Sequence, residues 1–308
     1  MKLIGMFMNL AEHDSDIAHR KAAFKRGLKG FTEGHDVRFE FRYGGGDFPN
    51  YPNLAKQLVA LKPDVVFAGC GPSFRALAAE MQSANVDIPL VFAGVIDPTP
   101  EANLTPSSRH IVTGFISYRA DLCTKWPGYL KRMAKHVTHA AILYDPGSPL
   151  RDRDPDRKLG GTQRDSIKKA ADQVELDAST LIDVTASKRE IERDVANFAK
   201  KNADKGGLIV PGATLAATSR EFIARLAIEY RLPAIYPNRM YTQSGGLMSY
   251  GAKTLKIYES SAERVAKILN HEQVEGPTHR QDFELVINSQ AADAIGLKVP
   301  ADLLSEAE

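Results

Sequence analysis

The sequence predicts an α/β protein made of two Rossmann-like, doubly wound lobes with a ligand cleft between them. Three observations carry that expectation. Short apolar runs alternate with amphipathic helical patterns over nearly the whole chain, as they do where parallel sheets are covered on both faces. The length of 308 residues corresponds to about two domains at roughly 150 residues each. A strand, Gly/Pro turn, helix, Pro, strand unit also occurs twice, over 63–92 and again over 207–236.

The elements follow in order. The apolar run 3–10 (LIGMFMNL) opens the chain on a strand, and 18–30 has helical spacing. The run 37–43 precedes a helical pattern over 54–61. The near-continuous run 65–70 ends at a Gly-Pro turn, Gly71-Pro72, where Ser73 opens a helix over 73–84, a residue type favoured at helix starts. The run 90–96 ends at Asp97-Pro98, and a fifth run ends at Ser117-Tyr118. Trp126, the one tryptophan, precedes Pro127 at a helix start and reads as packing. The run 140–144 is followed by the charge-rich stretch 146–161, which reads as a solvated insertion. Helical patterns over 163–174, 188–200 and 219–230 then alternate with the runs 208–210 and 234–236. The run 247–250, a helix over 255–269 and the run 285–287 complete the pattern.

Composition narrows the function classes. Lys+Arg 40 against Asp+Glu 38 leaves a net charge of +2, with no basic footprint for nucleic acid. The 43% hydrophobic and 25% charged fractions are those of a globular chain rather than a disordered one. Mean hydropathy is −0.28, and the longest apolar stretches fall short of the ~18 residues of a membrane span. Cys70 and Cys123, both in apolar contexts, read as small buried hydrophobes rather than a disulfide or metal pair. The N-terminus lacks the ordered regions of a signal peptide. Either the protein is cytoplasmic or a leader has been replaced by one Met.

Catalytic signatures are missing. Gly69-Cys70-Gly71 lacks the third glycine of the dinucleotide fingerprint, and neither a P-loop nor a nucleophile elbow occurs. Glu12, His13, Asp14, Asp16 and His19 match no metal spacing and read as a solvated loop running into a helix. The strand ends instead carry small polar and aromatic residues: Asn9, Ser73, Phe74, Asp97, Tyr118, Tyr144, Asp145, Ser148, Thr214, Tyr236 and Arg239. Ligands of open α/β sheets bind outside these ends, so the inventory favours binding over turnover, with no catalytic residue, cofactor or metal.

Ser73 and Thr214 each begin a helix after a central strand, where hydroxyl and backbone N–H jointly hold an anion or simply cap the helix. Phe74, Tyr118, Tyr144 and Tyr236 either stack on a flat ligand or serve ordinary packing. Arg239 offers a bidentate partner for a carboxylate, or pairs with a surface acid. The expected ligand is a small carboxylate, aromatic before aliphatic, with amino acids second. The alternatives are an α/β enzyme acting on a small carboxylate, for which Asp97, Asp145 and Ser148 offer acid–base groups, and a ligand-sensing core.

Four segments resemble the ABC-transporter substrate-binding proteins whose characterised members bind tryptophan and other aromatic amino acids. They are 58–66 (LVALKPDVV), 89–98 (PLVFAGVIDP), 245–251 (GGLMSYG) and 283–288 (FELVIN) with 294–300 (AIGLKVP). The resemblance implies a type I periplasmic-binding fold, with three crossovers near 117–121, 243–246 and 276–281. Its lobes would be 1–118 with 245–276, and 119–244 with 277–308. It further implies an extracytoplasmic monomer that closes on its ligand and delivers it to an inner-membrane permease. The neutral turn Pro211-Gly212-Ala213-Thr214 stands where amino-acid-binding relatives usually carry an acid, and the 146–161 loop is longer than theirs.

Overall fold

A computed structural model of the chain describes residues 1–95, 111–116, 120–145, 163–212, 214–279 and 282–308. The chain opens with β1 (Lys2–Met8), α1 (Ser15–Gly27), β2 (Val37–Tyr43), α2 (Tyr51–Ala60), β3 (Val65–Ala68) and α3 (Gly71–Ser83). Next come β4 (Leu90–Val95), β5 (Val112–Ile116), α4 (Ala120–Thr124), α5 (Trp126–Met133), β6 (His139–Tyr144) and α6 (Gln163–Asp172). They lead to β7 (Asp177–Asp183), α7 (Lys188–Asn202), β8 (Gly206–Ile209), α8 (Thr214–Thr218), α9 (Arg220–Glu229) and β9 (Ala234–Tyr236). The last stretch holds α10 (Arg239–Gln243), β10 (Met248–Ala252), α11 (Thr254–Leu269), β11 (Thr278–His279), β12 (Phe283–Ile287), α12 (Ser289–Ala294) and α13 (Ala301–Glu306).

Met1–Tyr118 and Thr254–Gln281 form one compact unit. Its six-stranded sheet runs β11-β5-β4-β3-β1-β2, with every pair parallel. Phe7, Val66, Ala68 and Phe92 from its strands join Leu58, Phe74 and Leu77 from α2 and α3 in one buried cluster. On the other side of the sheet α1 meets α11 so closely that a Cβ on Gly27 would lie 1.9 Å from the Glu259 carbonyl oxygen. Arg264 of α11 is buried beneath the end of this sheet. It donates to the Thr113 hydroxyl, the Gly114 and Gly276 carbonyls and the Thr278 hydroxyl, and lies over the Phe115 ring.

Arg119–Lys253 and Asp282–Glu308 form the other unit. Its six-stranded sheet runs β12-β10-β9-β8-β6-β7, parallel except where β12 pairs antiparallel with β10. Read outward from the first strand, both units share one winding. Strands β2-β1-β3-β4-β5 of one correspond to β7-β6-β8-β9-β10 of the other. In each, the winding reverses between the first strand and the third, and that is where open α/β sheets leave a crevice.

The division differs from the expected one at two crossings. The sequence pattern puts 245–253 in the first lobe, yet β10 is hydrogen-bonded between β9 and β12 of the second unit. The same pattern puts 277–281 in the second lobe, but β11 pairs with β5 of the first. Strand β7 lies outside the expected runs: it is an edge strand with alternating half-exposed polar residues (DASTLID), so it lacks the apolar run that marks its neighbours. Among the described residues no helix is long and apolar enough to cross a membrane.

Candidate functional site

In the first unit the winding reverses between β1 and β3. Phe7 is in register with Ala68, and the Gly69 N–H continues the ladder to the Phe7 carbonyl at 2.9 Å. Two residues further, the strands reach Asn9 and Cys70. Asn9 is buried. Its Oδ1 accepts from Arg20 Nη1 at 2.9 Å, and its carbonyl accepts from the Tyr51 hydroxyl at 3.4 Å.

Arg20 is buried too, with Nε on Asp16 Oδ2 at 2.5 Å and Nη1 also 3.2 Å from the Tyr258 hydroxyl. Burial opposes its charge, but Tyr258 and Asp16 more than offset that, so its pKa is raised. The reading of Glu12 to His19 as a solvated loop running into a helix holds for Glu12, His13 and His19, which are exposed, and for the helix start at Ser15, but not for Asp16. Asp14 does cap α1 by accepting from the Asp16 N–H at 3.0 Å, but Asp16 points inward to Arg20. Among the described residues no group of three His, Cys, Asp or Glu is placed to hold a metal.

Ser73 does not open α3. The helix starts two residues earlier and Cys70 caps it, its Sγ accepting from the Ser73 N–H at 3.5 Å. The Ser73 hydroxyl lies 3.2 Å from that sulfur and is fully buried. Pro72, in the first turn, takes a position where no N–H is needed, which moves the start upstream. Burial pushes the Cys70 thiol up, so it stays a neutral cap. Phe74 is also fully buried, edge-on to Phe92 at 5.1 Å, and belongs to the core.

In the second unit the winding reverses between β6 and β8. Tyr144 ends β6 and Asp145 follows it, both half-buried, and Pro211-Gly212 follows β8. Thr214 opens α8. Asp97, Tyr118, Ser148 and the side chain of Thr214 lie outside the described residues, as does the charged loop 146–161.

Tyr236, at the end of β9, is fully buried and stacks on Tyr241 of α10 at 5.0 Å and 17°. Sequence inspection singled out neither Tyr241 nor Ser249, the latter in register with Tyr236 on β10. The Tyr236, Tyr241 and Ser249 hydroxyls and Asn238 Oδ1 are all buried without a partner among the described residues. Burial alone raises the Tyr236 phenol. Arg239 gives its fork to Glu284, with Nη2 on Oε2 at 2.7 Å. Of its two expected roles the structure shows pairing with an acid, though that acid is buried rather than on the surface. Trp126 donates from Nε1 to the Tyr250 carbonyl at 2.8 Å and is a packing residue.

A family model described as "ABC transporter substrate binding protein" matches residues 6–308. A "Tyrosine-binding protein" of Clostridioides difficile (strain R20291) is 24% identical over 300 residues, spanning 95% of this chain and 81% of that one. A Streptococcus pneumonia ABC domain solved in complex with L-Trp superposes with a TM-score of 0.81 at 20% identity, over 99% of this chain and 98% of that chain. A conserved domain protein of Vibrio cholerae superposes with a TM-score of 0.80 at 19% identity, over the same shares. At these identities the structural likenesses show the fold.

Proposed function

We propose that this chain, which belongs to the ABC transporter substrate-binding protein family, captures an aromatic α-amino acid and hands it on unchanged. The observation that carries the reading is the shared winding of the two units. Each brings a polar strand-end edge to its reversal point, with Asn9 beside the start of α3 in one and Tyr144-Asp145 beside Pro211-Gly212 in the other. A donor such as Asn9 and a half-buried aromatic such as Tyr144 at such ends suit a ligand with a carboxylate and a flat ring.

The curated relative is named for tyrosine and the pneumococcal domain was solved with L-Trp, which supports an amino acid over the des-amino acid expected from the neutral 211–214 turn. In this reading Asp145, and Asp97 beyond the described residues, supply the acidic partner of the ammonium. The protein works outside the cytoplasm as a monomer, closes its lobes on the ligand and delivers it to a permease.

A thermal-shift panel of L-tyrosine, L-tryptophan, L-leucine and a hexose tests the ligand class. Ligand at a hundred times its Kd adds about 2.7 kcal/mol of apparent stability. The aromatic pair should raise Tm most; a larger shift with the hexose would refute the reading.

A further inference from the structure

We propose that Arg20 is a positioning residue that locks the Asn9 carboxamide in one orientation, so that Asn9 presents its N–H2 group and reads a carboxylate oxygen of the ligand. The inference rests on the function proposed above and assigns one ligand group to one atom of this chain.

The orientation follows from chemistry. A guanidinium has five N–H donors and no acceptor, so the Asn9 atom 2.9 Å from Arg20 Nη1 must be the oxygen. Arg20 is itself held, because Asp16 takes Nε and the Tyr258 hydroxyl, anchored on the Gly69 carbonyl at 3.2 Å, faces Nη1. The Tyr51 hydroxyl holds the Asn9 backbone from the other side. A rotation of the amide by half a turn would set donor against donor. Nδ2 makes no hydrogen bond among the described residues, although Asn9 is only 6% exposed. An N–H2 held in one orientation with no partner among the described residues is a donor pair open to a ligand. It stands at the reversal point of the sheet, on the strand beside the one that feeds the N-terminus of α3, an environment that favours an anion.

Calorimetric titration with L-tyrosine and L-tyrosinamide, and with the corresponding tryptophan pair, tests the proposal. In Asn9→Asp one carboxylate oxygen keeps the bond to Arg20 and the other replaces the donor. Affinity for L-tyrosine should then fall about ten- to a hundredfold and the preference should pass to the amide, which brings its own N–H2. Wild-type binding of the amino acids with an unchanged acid-to-amide ratio in Asn9→Asp overturns the proposal and leaves the proposed function standing. Failure of the wild type to bind either amino acid overturns both.

Should Asn9→Asp not fold, the cycle of Asn9→Ala, Arg20→Met and the double variant decides. Loss of Arg20 should cost affinity in the wild type and little more once Asn9 is gone; additive losses would contradict the positioning role.

Discussion

Arg20 shows how far a residue's role depends on chain segments distant in sequence. Asp16 and Arg20 stand four apart on α1, so their pairing is visible in the sequence. Their burial is not, because it is completed by Tyr258, 238 positions away from Arg20. Removing one partner of such a pair leaves a buried charge uncompensated. Asp16→Ala should lower unfolding stability by about 3–5 kcal/mol in a denaturant titration. The roles of Ser73 and Arg239 were equally hidden, one by an unusual cysteine cap and the other by an acid 45 residues on.

Exposed pairs behave differently. Arg132 holds Asp302 and Glu306 at 2.9 Å each. The Asp302 carboxyl is lowered chiefly by its bond from Arg132, and that of Glu306 by Tyr129 first and then Arg132. Depressed folded-state values contribute stability above the unfolded carboxylate range that is lost as pH falls through them. The gap between wild type and Arg132→Gln should therefore be present at neutral pH and shrink below about pH 4 in urea melts.

At the scale of elements, the sheet interiors were legible because buried parallel strands are apolar runs, and β3, β4 and β9 fall within the expected runs 65–70, 90–96 and 234–236. Elements without that signature were not: β7 is a polar edge, and α10 has only five residues. Helix contacts are set by glycines whose reason appears only in three dimensions. A methyl on Gly27 would meet the Glu259 carbonyl at 1.9 Å and Ala262 Cβ at 2.8 Å. Gly27→Ala should force α1 from α11 and cost about 1–3 kcal/mol or more. Gly128 of α5 has nothing within 4 Å of its built Cβ among the described residues. Gly128→Ala should have the opposite sign, raising stability by roughly 0.5–1 kcal/mol through helix propensity. A pair of thermal melts reads both.

For the whole molecule, the repeated strand–turn–helix–strand unit announced two like-wound units, and the structure gives both the same strand order. The crossings were harder to place. Residues 245–253 look like a return to the first lobe, yet β10 completes the ladder of the second unit, a pairing choice that local sequence does not record. The proposed closure predicts a smaller radius of gyration by solution scattering at saturating ligand; an unchanged value would count against it. The central claim is recognition of an aromatic α-amino acid, and a calorimetric comparison of L-tyrosine with its des-amino analogue, 3-(4-hydroxyphenyl)propionate, tests it most directly. The account predicts that the amino acid binds more than about tenfold tighter, a difference of ~1.4 kcal/mol, and is recovered unchanged after the titration. Equal or tighter binding of the des-amino acid would contradict it.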